Sequence, residues 1–292
     1  TGKKIKFRDK EIIIENLENY DFSKAEITFF AAGSQIAKEW APQAAKKTIV
    51  IDNSSYFRMQ KDVPLVVPEV NSEALEKHNN IIANPNCSTM QMVLALKPLH
   101  NEYKINRVVV STYQAVSGAG KAPTDELFEQ TKNFLDKKEI VSKNFTKQIA
   151  FNLIPHIDVF DKDGYTKEEL KMTNETKKIL DEDIKVTATC VRVPIRTGHS
   201  ESINIEFDKL YDFENVTKIL SNAPGCKVVD TRKDGGYMTP HEAEGDYTTY
   251  ISRIRKDISN AKAINIWVVS DNLLKGAALN TVQIAEQLVK KL

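Results

Sequence analysis

The stretch "NIIANPNCSTMQMVLALKPL", residues 80–99, decides how the chain is read. "NIIANP" (Asn80–Pro85) has the make-up of a short buried strand, and residues 84–86 form a turn. From Ser88 to Lys97 the apolar positions Met90, Val93, Leu94 and Leu96 keep helical spacing until Pro98, where the helix is expected to stop. A lone cysteine, Cys87, stands at the helix entrance, and two readings of it are open. Unpaired cysteine is among the most often buried residue types, which makes it core filler. At a helix N-terminus, free backbone N–H groups and the positive dipole end stabilise a thiolate and would hold the oxyanion of an attacked carbonyl. An ordinary thiol, with pKa about 8.5, is only roughly 3% thiolate at pH 7. A fall of about two units would make thiolate the main form.

Working upstream, "TIVIDNSS" (Thr48–Ser55) and "EITFFAA" (Glu26–Ala32) are two more short apolar strands. Gly33-Ser34 follows the second, and Ser34 is placed to cap the helix "QIAKEWAPQAAKK", with Pro42 marking a kink or early stop. "KIKF" and "EIIIENL" flank Arg8-Asp9-Lys10 as a hairpin. Short apolar strands alternating with helices predict a parallel, doubly wound sheet, whose ligands gather at the carboxyl ends of the strands. Those ends carry Gly33-Ser34, Asn53 to Ser55, and Asn84 to Cys87.

Downstream the pattern changes. "RVVVSTYQAVSGAG" (Arg107–Gly120) is a long strand closing in small residues, followed by a helix over Thr124–Leu135. "KVTATCVRVPI", "ESINIEF", "TTYISRIRKD" and "AINIWVVS" are strands with short connections, predicting a mostly antiparallel sheet in a second, α+β domain. "YTKEELKMTNETKKIL" and the closing "LLKGAALNTVQIAEQLVKKL" read as amphipathic helices. No internal repeat or flexible linker interrupts them.

Composition excludes several classes. The 292 residues suffice for two domains, and 41 Lys+Arg against 40 Asp+Glu leave a formal charge of +1. That balance argues against a dedicated nucleic-acid or membrane-surface binder. Apolar runs such as Ala263–Val269 fall far short of the roughly 18 residues needed to span a bilayer. Three cysteines, Cys87, Cys190 and Cys226, are too few for a disulfide framework, which points to a reducing cytoplasm. No His/Cys cluster has zinc-ligand spacing, so no metal is expected. "DVFDKDGYTKEE" fails as a calcium loop, because its first and twelfth positions would be Val159 and Leu170; it reads as a turn before a helix.

Other candidates are weaker alone. Arg192 and His199 lie seven apart, on opposite faces of an unbroken strand, but Pro194 and Gly198 allow a bend that brings them together. His199 could carry a proton and Arg192 could hold a carboxylate in two-pronged fashion; a solvent-facing His and a surface-paired Arg are the plain alternatives. Gln114 ends a strand beside Ser117, Gly118 and Gly120, whose glycines permit close approach of a phosphate or ring. Arg58 sits in a loop after a strand.

Taken in order, "FFAAGS", "VIDNSSYFRM", "VPLVVPEVN", "IIANPNCSTMQMVLALKPL", "STYQAVSGAG", "NLIPHID", "EELKMTNETKKIL", "VRVPIRTGHSESI", "ISRIRKD" and "DNLLKGAALNTVQIAE" resemble the bacterial aspartate-β-semialdehyde dehydrogenases along nearly the whole chain. The wording "RVPIRTGHSE" is closer to the Gram-positive branch than to the enteric one. The resemblance implies NADPH-dependent conversion of L-4-aspartyl phosphate to L-aspartate-4-semialdehyde with release of phosphate, on the route to lysine, threonine and methionine. It makes Cys87 the nucleophile, His199 the general acid/base and Gln114 the group that orients the intermediate. Arg192 would grip the substrate α-carboxylate and Glu168 its amino group. Arg58, Asn86 and Lys171 would line the phosphate site. Ala31, Gly33, Ser34, Ser54, Ser55, Ser117, Gly118 and Asn272 fall where the family contacts NADP(H). It also implies a homodimer, or a dimer of dimers, paired through the second sheet. A thioester suits the chemistry, lying close in energy to an acyl phosphate where an ester would be too stable.

The expected architecture is therefore a Rossmann-like dinucleotide-binding domain, residues 1–86 with 273–292, and an α+β catalytic and dimerisation domain, residues 87–272. The family's first βα unit, with its G-x-x-G-x-x-G turn, has no counterpart after Thr1. Either those residues precede Thr1 and function is unaffected, or the chain is truncated, with weakened NADP binding and an open sheet edge. The first is favoured because the other site residues are present. Competing readings are an N-acetylglutamyl-phosphate reductase, which should lack "EELKM" and "RVPIRTGHSE", a cysteine hydrolase using Cys87 and His199 with water, and a non-catalytic subunit.

Overall fold

The structure is a computed structural model and describes residues 1–290. Residues 291 and 292, the end of the span read as the closing helix and of the nucleotide-binding region, lie outside the described residues. An exposed hairpin, β1 (Lys4–Phe7) and β2 (Lys10–Ile13), opens the chain, with Arg8 in the turn at φ 53°. The parallel sheet follows: β3 (Ile27–Phe30), helix α1 (Ser34–Ala44), β4 (Ile49–Asp52), a short helix α2 (Pro68–Asn71), and β5 (Ile81–Ala83), in the order β3-β4-β5. Val50, Ile51, Ile82 and Ala83 are fully buried, as strands covered on both faces must be. β3 is an edge strand, and its Phe29 is exposed.

Helix α3 (Cys87–Tyr103) joins the two halves. Its apolar residues point all round: Met90, Val93 and Leu94 pack with α1 and the parallel sheet, while Met92, Leu96 and Leu99 enter the core of the second sheet. A helix apolar on every side belongs inside a protein. The stop expected at Pro98 does not occur. Burial on two sides outweighs the hydrogen bond that proline withholds from Leu94, and the helix runs on to Tyr103.

Next come β6 (Ile105–Gln114), α4 (Lys121–Leu135), α5 (Lys167–Ile179), β7 (Lys185–Arg192), β8 (His199–Phe207), α6 (Phe213–Ser221), β9 (Cys226–Val228), α7 (Pro240–Ala243), β10 (Thr249–Lys256) and β11 (Ala263–Ser270). The six strands order as β7-β6-β8-β11-β10-β9, with three antiparallel pairings and parallel ones at the two outer pairs. β8 alternates cleanly: Ile203, Ile205 and Phe207 face α3, and Ser202, Asn204 and Glu206 face away. Leu274–Ala278 forms one turn of π-helix before α8 (Leu279–Val289), whose Ile284 and Leu288 return to cover Ile51 and Ile82 of the first sheet. Ser34 does not cap α1. Gly33 is the N-cap, without a side-chain bond, and the Ser34 hydroxyl pairs instead with Ser55 Oγ at 3.1 Å. α1 runs through Pro42 and ends at Ala44.

Candidate active site

Sheet register gathers the chemistry at one end. Gln114 and Arg192 are direct partners at the carboxyl ends of the parallel strands β6 and β7, and antiparallel β8 starts there with His199. Arg192 and His199 thus lie on different strands, and no single strand turns them to opposite faces. The connection turns at Gly198, φ 92°, where a Cβ would lie 2.8 Å from the Pro240 side chain; only glycine fits. A Cβ on Gly118 would lie 3.2 Å from both Arg192 Nη1 and His199 Nε2, so this backbone covers the pair.

In front lies a cleft of about 480 Å³ whose lining includes Cys87, Arg58, Asn86, Gln114, Glu168, Lys171 and Arg192, with Ser55, Ser117, Gly118 and Asn272 along the same wall. A larger hollow, about 940 Å³ beside Arg253 and Arg255, contains neither cysteine nor histidine. Cys87 is the first residue of α3, behind the N-cap Asn86. Asn86 Oδ1 accepts from the N–H groups of Ser88 at 3.0 Å and Thr89 at 3.3 Å. Those two donors are therefore not open to an oxyanion, contrary to the expectation from the helix entrance. Gly276 lines the same cleft, and a Cβ on it would stand 2.9 Å from Cys87 Cβ, so the π-turn packs its backbone directly against the nucleophile candidate.

The resting thiolate expected from the helix end is also corrected. Burial of the sulfur, reinforced by Glu168, pushes the Cys87 thiol up to about 12, against the pull of Arg192, Arg58 and the Ser88 N–H. His199 is held neutral: burial and then Arg192 push its pKa down to about 3. Its Nδ1 accepts from the Ala115 N–H at 3.1 Å, so the hydrogen sits on Nε2, a buried donor without a partner. Arg192 is buried, not surface-paired, and its Nη1 donates to the Ala115 carbonyl at 2.7 Å.

Helix α5 supplies the acidic wall, entered through a capping box at Thr166 and Glu169. Glu168 Oε1 accepts from Asn86 Nδ2 at 2.9 Å and Gln114 Nε2 at 3.2 Å, and Oε2 from Lys171 at 3.1 Å. Burial would raise its pKa, but Lys171 and these bonds outweigh it and hold the carboxyl below its usual range. Lys171 also meets Asp158 at 2.9 Å. Glu175, one turn beyond Lys171, escaped the sequence reading although its helical spacing places it on this face. Its buried carboxylate takes Arg58 Nη1 at 3.1 Å and the Asn86 N–H at 2.6 Å.

The cofactor candidates divide. Asn272 Oδ1 accepts from the Gly198 N–H at 2.8 Å, and its amide Nδ2 reaches Ser117 Oγ at 3.1 Å. Ala31 and Gly33 are exposed at the carboxyl end of β3, with open space where a Gly33 side chain would be. Ser54 is engaged internally, its N–H and hydroxyl both on Asp52. The open carboxyl ends of β3 and β4, continuous through Ser34 and Ser55 with the cleft, fit an extended dinucleotide. Among the described residues, no group of three or more His, Cys, Asp or Glu could hold a metal, and no helix is long and apolar enough to cross a membrane.

Comparison with known proteins bears on this site. Two family models match, the NAD binding domain of semialdehyde dehydrogenases over residues 1–78 and their dimerisation domain over residues 96–275. The aspartate-semialdehyde dehydrogenase of Aquifex aeolicus is 53% identical over 297 residues, covering 99% of this chain and 87% of that protein. The crystal structure of aspartate semialdehyde dehydrogenase II from Vibrio cholerae superposes with a TM-score of 0.96 at 47% identity, over 99% of this chain and 87% of that one. Its complex with ASA gives the same TM-score at 46% identity and the same coverage. With relatives this similar along its length, and with Cys87 and Arg192 lining one cleft and His199 buried beside Arg192 under Gly118, the chain belongs to the aspartate-semialdehyde dehydrogenase family.

Proposed function

We propose that the chain catalyses the reversible, NADPH-dependent reduction of L-4-aspartyl phosphate to L-aspartate-4-semialdehyde, releasing phosphate. One observation carries the reading: Cys87 faces a cleft that the cations Arg58, Lys171 and Arg192 also line. Several positive groups around one cysteine suit a substrate that carries both a carboxylate and a phosphoryl group. The complex of the Vibrio cholerae relative with ASA supports it.

In this reading Cys87 Sγ attacks the acyl carbon, the C–O bond to phosphate breaks, and the thiol proton leaves on the phosphate oxygen. With a thiol pKa of about 12, the proton departs as the C–S bond forms rather than beforehand. The unpaired Nε2–H of His199 donates to the oxygen of the tetrahedral adduct, in place of the capped helix N–H groups. Service as a base toward Cys87 requires the other tautomer, with the Ala115 N–H released. Gln114 orients the intermediate, Arg192 holds the α-carboxylate and Glu168 the amino group; Arg58, Asn86 and Lys171 receive the phosphoryl oxygens. A bound nicotinamide dinucleotide would supply the hydride for the acyl carbon; the C–S bond then breaks as the carbonyl re-forms, and Cys87 Sγ regains its proton. Ala31, Gly33, Ser34, Ser55, Ser117, Gly118 and Asn272 would hold it, with Ser54 shaping the strand end.

The division into residues 1–86 with 273–292 for the dinucleotide and 87–272 for catalysis and pairing stays part of this reading. So does a homodimer or dimer of dimers, supported by the match to a dimerisation domain, and a cytoplasmic setting, supported by three free cysteines. The test is NADPH formation from the semialdehyde with phosphate varied. NADPH formation should require phosphate, and no NADPH formation with phosphate present would overturn the reading.

A further inference from the structure

Helix α5 carries four charged groups on one stripe, Glu168, Lys171, Glu175 and Lys178, spaced three, four and three residues apart. The first two line the cleft; the second two do not. Glu175 is almost wholly enclosed, its side chain 1% exposed, yet it makes two strong contacts. Oε1 takes Arg58 Nη1 at 3.1 Å, and Oε2 takes the backbone N–H of Asn86 at 2.6 Å, one residue before Cys87. Lys178 has three hydrogens to donate, and Nζ reaches the carbonyls of Arg58 at 2.7 Å, Gln60 at 2.8 Å and Val63 at 2.7 Å.

These contacts meet a specific need. Between β4 and α2 the chain has no helix or strand of its own, so no ladder fixes Arg58. Its guanidinium is held at Nη1 by Glu175 and at Nη2 by the Asn53 carbonyl at 3.1 Å, and its backbone by Lys178. Nε is buried without any partner, although the residue lines the cleft. A buried N–H left unpaired costs free energy, and a bound oxyanion would recover it.

We propose that Glu175 and Lys178 are positioning residues that lock Arg58 and the Asn86–Cys87 turn into one preformed cradle for the phosphoryl group and for inorganic phosphate. This rests on the reaction proposed above. Without the brace, binding an anion would have to order an irregular loop, and that ordering cost would fall on phosphate alone. Glu175 ties the anion site to the nucleophile, because one carboxylate holds both Arg58 and the turn that presents the sulfur. In Glu175→Gln, the amide carbonyl can satisfy one donor while its NH₂ confronts the other. In Lys178→Met, the carbonyls lose their shared donor at a half-buried position that tolerates an apolar side chain.

The experiment is phosphate-dependent oxidation of L-aspartate-4-semialdehyde by wild type, E175Q, K178M and K178R. E175Q and K178M should raise the KM for phosphate about ten-fold or more and leave that for semialdehyde within about two-fold. K178R, which restores the charge, should recover most of the loss. Equal rises in both KM values, or an unchanged phosphate KM in folded K178M, would overturn the proposal. K178M carries the test should E175Q fail to fold. A wild-type enzyme without phosphate-dependent turnover would instead remove the reaction itself, so the two failures are distinct.

Discussion

Replacing Cys87 by Ser keeps the side chain's shape and hydrogen-bonding reach but removes the sulfur. We expect C87S to lose at least about three orders of magnitude in turnover with an unchanged circular dichroism spectrum, since a hydroxyl is a far weaker nucleophile than a thiol and would form too stable an ester. Turnover close to wild type would remove the nucleophile assignment. The thiol's surroundings give a second test. With the Cys87 thiol near 12, iodoacetamide alkylation of the free enzyme should keep climbing from pH 6 through pH 9. A plateau near pH 7 would mean that the sulfur rests as thiolate. The position of Cys87 at a helix entrance was legible in the sequence; the surroundings of its thiol were not. The helix contributes one favourable field, but Glu168, far off in sequence, and the enclosing walls contribute opposing ones. Nor are the first helix amides all free for an oxyanion, because Asn86 caps its own helix and uses two of them.

At the scale of elements, the π-turn Leu274–Ala278 packs against Cys87, the proposed nucleophile. It is anchored by Lys275, whose buried ammonium reaches both Glu69 oxygens, at 2.9 and 2.7 Å, and the side chains of Asn280 and Gln283. The anchored turn cannot back away, so a methyl group at residue 276 must displace Cys87. Gly276→Ala should cost activity by about ten-fold or more while the melting temperature falls by only a few degrees. A fully active G276A would show that the turn yields freely. Helix α3 illustrates the opposite case. Its start could be read from the Asn-Pro-Asn turn, but not its end, because a proline's local cost was set against burial that only the assembled sheets provide.

At the scale of the whole molecule, Glu201 is the most demanding group in the core. It sits two residues beyond His199 on the inner face of β8, and neither carboxyl oxygen has a hydrogen-bond partner. Burial pushes its pKa well above the ordinary carboxylate range, with the neighbouring Gln91 amide opposing it. Unfolded, a glutamate loses its proton near pH 4.3; folded, Glu201 keeps it, so above that pH the folded state holds the extra proton and stability falls as pH rises. Gln cannot lose a proton. The melting temperature of Glu201→Gln should therefore gain on wild type steadily from pH 5 to pH 8. A difference constant with pH would show that Glu201 is ionised in the fold.

Local pattern was enough for the three parallel strands, the long strands of the second sheet and the helical stripe of α5, since apolar periodicity reports which side of each element will meet a core. It was also enough to nominate Cys87, Gln114, Arg192 and His199, because their neighbours signalled strand ends and turns. Only the tertiary structure decided that β7 and β8 would bring Arg192 and His199 together under Gly118, that Glu175 and Lys178 would brace a loop more than a hundred residues earlier, and that α8 would return to the first sheet. Register, burial and long-range ion pairing are sums over elements distant in the chain, and no single window of residues contains them.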